Sequence, residues 1–118
     1  MTLNHKESTD FIGKTVKIII DRPMGSRHPA YKYIYPINYG YLSNTMSGDG
    51  EELDAYVLGV DVPLKEFTGI VIAVIKRLSE DDDKLVAVPP GIKFSRQQIA
   101  ALTYFQEQHF QIKILINK

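Results

Sequence analysis

Seven consecutive residues, Gly69-Ile70-Val71-Ile72-Ala73-Val74-Ile75, carry almost nothing but apolar, mostly β-branched side chains. A run this short and this apolar predicts a strand buried on both faces. Such a strand needs partners, and the sequence offers them. Thr15 to Ile20 is β-branched. Leu53 to Leu58 ends in Ala-Tyr-Val-Leu. Lys84 to Val88 is apolar after its first residue and is stopped by Pro89-Pro90-Gly91. Ile112-Lys113-Ile114 alternates, and Tyr31 to Tyr35 reads as a short strand before Pro36. Prolines and glycines make 21–29 a loop, and Pro63 makes Gly59 to Phe67 a connection.

The period changes only near the end. Ser95 with Gln98 three residues on fits a capping box. Ile99, Leu102, Phe105 and Phe110 follow at near-helical spacing, which predicts a helix from about 96 to 109. Several short strands and one late helix make the chain mainly β (α+β): a small barrel or curled sheet closed by that helix. Residues 1–11 read as a polar N-terminal tail or first turn, and 12–118 as a single domain.

Charge narrows the partners. Lys plus Arg and Asp plus Glu both number 14, so the net charge is zero and a general nucleic-acid binder is not expected. The apolar runs are far too short to span a bilayer, and MTLNHKESTD lacks the apolar stretch of a signal peptide. No membrane association and a cytoplasmic location follow as expectations. With no cysteine, disulfides and thiolate metal sites are ruled out.

The chemistry concentrates in Tyr35 to Leu58. Ser47-Gly48-Asp49-Gly50 is a tight turn, and Asp49, Glu51, Glu52 and Asp54 lead from it into a strand. A second acidic turn, Asp81-Asp82-Asp83, sits directly before Lys84. Each turn alone reads as a solvated surface turn. If both meet at one end of the barrel, their carboxylates repel unless a cation lies among them. An oxygen-only donor set fits Mg²⁺ or Mn²⁺ better than Zn²⁺. Cations on nearby strand ends and loops (Lys17, Arg22, Arg27, Lys32 and Lys84) suit a phosphate held between. Among the tyrosines, Tyr39 is the first choice for a site hydroxyl and Tyr35 the second.

Three segments in order, Tyr35-Pro36-Ile37-Asn38-Tyr39-Gly40-Tyr41, Asp49-Gly50-Glu51-Glu52-Leu53-Asp54 and Asp82-Asp83-Lys84 through Val88-Pro89, resemble the soluble Mg²⁺-dependent inorganic pyrophosphatases. The resemblance spans roughly residues 15–110 and implies an OB-like β-barrel of the inorganic pyrophosphatase type with one C-terminal helix. It makes Asp49, Asp54 and Asp82 metal ligands, and Lys84, Tyr39 and Tyr35 phosphate-side residues. Arg27, with Arg22 competing, matches a phosphate-binding arginine, and Lys17 a phosphate-binding lysine. Glu51 replaces the family aspartate that helps deprotonate the attacking water. Near a further family metal-binding aspartate stand Arg77 and Leu78, with Glu80 the nearest acid, and His109-Phe110 stands in place of a Tyr-Lys pair.

The expected activity is metal-dependent hydrolysis of pyrophosphate, or another diphosphate, to phosphate. Glu51, Asp54, Lys84 and Tyr39 are the catalytic candidates. The departures motivate an alternative, a catalytically weak or inactive phosphate- or nucleotide-binding module on the same fold. Family members assemble, so the resemblance also allows a homo-oligomer.

Overall fold

The computed structural model describes residues 7–43 and 52–116. Six strands form one sheet: β1 (Thr15–Arg22), β2 (Asn38–Leu42), β3 (Leu53–Val57), β4 (Glu66–Arg77), β5 (Lys84–Val88) and β6 (Ile112–Leu115). Their order is β1-β2-β3-β5-β4-β6, and β1 also pairs with β4. That extra pairing closes five strands into a barrel, leaving β6 outside along the end of β4. The expected barrel with a late helix is therefore what the chain forms. No described helix is long and apolar enough to cross a membrane.

The long strand β4 makes closure possible. Its first part pairs antiparallel with β1, its middle with β5 and its end with β6. A register shift between Val71 and Ala73 lets it bend from one partner to the next. β4 begins at Glu66, inside the expected connection, because Phe67 and Thr68 pair opposite Ile18 and Lys17. Burial on both faces holds for Ala73, Val74 and Ile75, while Ile70 and Ile72 are half-buried.

Other expectations are adjusted. Asn38–Leu42, for which no strand is expected, is a full strand, β2, between β1 and β3. Tyr31 to Tyr35 makes no strand. A single bridge joins Arg27 to Ile34, and Lys32 adopts φ 70°, which curls the loop instead. Residues Ser8–Phe11 form a 3-10 turn with Ser8 buried.

The helix α1 (Arg96–Glu107) starts where the capping box predicts. Ser95 Oγ accepts from the Gln98 N–H at 3.0 Å and Gln98 Oε1 accepts from the Ser95 N–H at 2.8 Å. The helix ends two residues before the expected 109. Its buried face joins Ile99 of the apolar series to Thr103, Gln106 and Glu107; Phe105 of that series packs against the core partly buried, and Leu102 is exposed. A helix that shields a polar site must turn polar residues inward, and hydrophobic periodicity cannot find that face.

The core divides in two. Val16, Ile18, Leu53, Ala55, Val57, Val74, Leu85 and Ala87 belong to the cluster inside the barrel. Tyr35, Tyr39, Tyr56, Ala73, Ile75, Val86 and Ile99 belong to the cluster between its outer face and α1.

Candidate active site on the outer face of the barrel

Strand pleating decides which side chains reach the site. Along β3 and β5, Leu53, Ala55, Val57, Leu85 and Ala87 join the inner cluster. The alternate residues, Asp54, Tyr56, Lys84 and Val86, take the opposite face. β3 and β5 run parallel with Asp54 opposite Lys84. The buried Lys84 Nζ donates to Asp54 Oδ2 at 2.7 Å and to Asp82 Oδ1 at 2.8 Å. Tyr39, across β2, donates to the same Asp54 oxygen at 2.8 Å. Burial first, then the Asp54 charge, holds the Tyr39 hydroxyl well above its usual pKa. It therefore remains a donor.

Backbone geometry brings in the next two residues. The register of β1 on β2 shifts between Ile20, opposite Gly40, and Arg22, opposite Tyr39. This bulge adds Asp21 to one strand and lets two consecutive side chains, Asp21 and Arg22, face one cavity. Gly40 is required here, since a Cβ would lie 1.9 Å from the Ile19 carbonyl oxygen. Asn38, fully buried beside it, ties the flanking loops together. Its Oδ1 accepts from the Met24 and Leu64 N–H groups and its Nδ2 donates to the Val62 carbonyl.

Arg77, at the end of β4, joins barrel and helix. Its Nε and Nη2 donate to the two oxygens of Glu107 at 3.0 and 2.9 Å, a bidentate pair on α1. Its Nη1 reaches Glu80 and Asp82, each at 3.2 Å. The guanidinium also lies 3.7 Å from the Phe110 ring centroid. Tyr56 donates to Glu107 at 2.5 Å and accepts from Gln106 Nε2 at 2.7 Å. Tyr33 and Tyr35 both donate to Gln106 Oε1 at 2.8 Å. Burial raises the pKa of all three tyrosines. Burial works against the Arg77 charge, but its bonds to Glu107 outweigh it and the pKa rises. Among the described residues no buried side-chain nitrogen or oxygen lacks a partner.

These groups surround a cavity of about 420 Å³. Its lining includes the charged Arg22, Arg77, Lys84, Asp21 and Asp54 and the rings of His28, Tyr31, Tyr33, Tyr35, His109 and Phe110.

The sequence candidates are distributed unevenly. Asp54, Lys84, Tyr39, Tyr35 and Arg22 line the cavity, and Asp82 joins through Lys84. Arg27 is exposed, donates to the Lys32 carbonyl at 2.8 Å and does not line the cavity, so Arg22 is the arginine in place. Lys17 also stands apart, on an exposed part of β1 facing Glu66 at 3.3 Å. Asp49 and Glu51 lie outside the described residues. Sequence reasoning missed Asp21, Gln106 and Glu107, and treated Arg77 as a departure rather than a hub. The polar positions on α1 spaced with Ile99 were the available signal.

Among the described residues no group of three or more His, Cys, Asp or Glu side chains is placed to hold a metal ion. The donor chemistry nevertheless suits a hard cation. Asp54, Asp82, Glu80 and Glu107 share only Lys84 and Arg77 in their ion pairs, so negative charge remains over.

Comparison with known proteins gives the family and the fold. The family model for inorganic pyrophosphatase matches residues 5–114. An inorganic pyrophosphatase of Campylobacter jejuni is 34% identical over 65% of this chain and 49% of its own length. That of Yersinia pestis is 39% identical over 63% of this chain and 47% of its own. The chain thus spans about half the length of these curated relatives. The crystal structure of inorganic pyrophosphatase from Ehrlichia chaffeensis superposes with a TM-score of 0.67 at 17% identity, covering 95% of this chain and 88% of that one. The Helicobacter pylori enzyme gives 0.66 at 22% identity, covering 98% and 90%. At such identities these structures speak for the fold.

Proposed function

The chain belongs to the inorganic pyrophosphatase family, a metal-dependent family, and on that premise we propose that it hydrolyses pyrophosphate to two phosphates in the cytoplasm. The observation that carries the reading is Lys84 Nζ held between Asp54 and Asp82 beside the Tyr39 hydroxyl, at the wall of a cavity that Arg22 also lines. The water oxygen bonds to one phosphorus, and the bridging oxygen leaves with the other phosphate.

Asp49, Asp54 and Asp82 are the proposed holders of Mg²⁺ or Mn²⁺. When bound, the ion supplies Lewis acidity and takes up phosphate charge. Glu51 is the proposed acceptor of the water proton. Tyr39 and Lys84 fix the Asp54 carboxylate from two sides. Lys84 and Arg22 offset the charge that builds on the leaving phosphate, Arg22 with its planar fork and Lys84 as a point charge.

Phosphate release from pyrophosphate with Mg²⁺, with Mn²⁺ and with EDTA tests this directly. Asp54→Asn should lower metal-dependent turnover by at least about a hundredfold, with the fold retained at the assay temperature. Unchanged turnover in that variant ends the proposal.

One contact favours a second reading. Arg77 already neutralises part of Asp82, at 3.2 Å, as an internal cation beside a proposed metal ligand. A phosphate-binding module with little catalysis would keep this pair. Calorimetry separates the two, because a module binds pyrophosphate tightly and releases no phosphate.

A further inference from the structure

Part of the cavity lining is unsuited to a bare diphosphate. Aromatic faces carry the negative end of the ring quadrupole, so they do not attract a compact polyanion. Yet His28, Tyr31, Tyr33, His109 and Phe110 line the same cavity as Lys84, and four of these rings, His28, Tyr31, Tyr33 and His109, lie within 6.4 Å of one another in a chain. The volume, about 420 Å³, lies within the range of sites for organic ligands, roughly 300–1,000 Å³.

The aromatic rings are ordered with respect to one another. Tyr31 is 72% exposed, although it is a large aromatic. It lies nearly parallel to Tyr33, with 7° between planes and 6.4 Å between centroids, and within 27° of His109 at 6.2 Å. His28 sits 4.9 Å from both Tyr31 and Tyr33. Two backbone groups lock its ring, because Nδ1 accepts from the N–H of Ala30 at 3.0 Å and of Tyr31 at 3.1 Å. An accepting Nδ1 carries no proton, so the ring is neutral with its proton on Nε2. Burial and the nearby Arg22 charge push the His28 pKa down in the same direction. His28 thus adds no positive charge, and the aromatic lining presents ring faces in the same cavity as cations that suit phosphate. Arg22, which forms no salt bridge among the described residues, lines the same cavity, and its charge acts on His28.

We propose that this site takes a diphosphate bearing a flat heteroaromatic ring, a nucleoside diphosphate, with its phosphates at Arg22 and Lys84 and its ring stacked on Tyr31. This rests on the hydrolase reading and names its substrate class. Water adds to the terminal phosphorus and the bond from that phosphorus to the bridging oxygen breaks. The bridging oxygen leaves on the nucleoside monophosphate with the electron pair, and the water protons pass to the products and solvent.

The test uses the full chain with Mg²⁺ and compares adenosine diphosphate with pyrophosphate, by phosphate release and by equilibrium binding. Adenosine diphosphate should be bound and hydrolysed at least as efficiently as pyrophosphate. Tyr31→Ala should lower the ratio of kcat/KM for adenosine diphosphate over pyrophosphate roughly tenfold or more, the size of one lost base–aromatic stack. Tyr31→Phe should retain that ratio. Turnover of pyrophosphate without binding or turnover of adenosine diphosphate overturns this proposal and leaves the hydrolase reading intact. So does a ratio that Tyr31→Ala leaves unchanged. Adenosine diphosphate binding that depends on Tyr31 but yields no phosphate keeps the ring site and removes the hydrolase reading. No binding of either ligand removes both.

Discussion

The two faces of β3 and β5 are built from the same ten residues and share almost no chemistry. Inside the barrel, Leu53, Ala55, Val57, Leu85 and Ala87 are entirely apolar and nearly or wholly buried. Outside, Asp54, Tyr56 and Lys84 hold charge and hydroxyls under a helix that contributes Gln106 and Glu107. The inner face is stabilised by area removed from water, which is non-directional. The outer face depends on every buried polar group finding its partner. Alternation lets one strand serve both purposes, so the site can vary without touching the core.

That contrast can be broken in three ways. The largest stability effect belongs to the outer face. Glu107→Ala leaves the Arg77 guanidinium buried without its bidentate partner and should cost about 3–5 kcal/mol in denaturant unfolding. Arg77→Met combined with Glu107→Leu should recover most of that loss, because an apolar pair of similar volume avoids the desolvation penalty. If the double variant stays as unstable as the single one, the polar network contributes more than its charges.

Leu85→Ala is the inner-face counterpart and should cost about 2–5 kcal/mol through lost transfer energy and a cavity. The folded fraction should keep its turnover, since Leu85 points away from Lys84. A fall in kcat at full folding would mean that the two faces are coupled.

The smallest effect appears in alkali. Unfolded tyrosine ionises near 10.0, whereas burial raises the folded pKa of Tyr39 and Tyr56. Between those values the unfolded state loses protons that the folded state keeps. Stability is therefore full below pH 10.0 and declines as pH rises toward the folded values, by up to about 1.4 kcal/mol per pH unit for each tyrosine. Tyr39→Phe should make that decline shallower in pH-dependent melting. An identical slope would show that Tyr39 ionises as easily in the fold as outside it.

The strand pattern was legible because burial on one or both faces writes itself into period and composition. β1, β3, the centre of β4, β5 and the start of α1 all follow from it. β2 escaped because Asn38 and Gly40 resemble turn residues. Asn38 is in fact a clamp between loops, and Gly40 is forced by the Ile19 carbonyl. The same limit applies to the site. Asp54, Lys84 and Tyr39 lie where their motifs suggested, while Arg22, expected in the 21–29 loop, ends β1 and reaches the cavity through the bulge there. Glu107 and Gln106 were hidden because pairing with Arg77 and three tyrosines is a tertiary fact. Lys17 and Arg27 were plausible as cations near the motif, but pleating and a loop turn place them outside the cavity.

The parallel pairing of β3 with β5 has a kinetic side. Asp54 and Lys84 are 30 positions apart and neighbours in register. The whole of β4 lies between them in sequence, so the chain must cross and return before they meet. Loop closure of that kind is slow relative to local hairpins. A chain still leaving the ribosome holds its carboxylate without its ammonium until residue 84 has emerged. The charge pair of the site is thus a long-range contact that no nascent chain shorter than 84 residues can make.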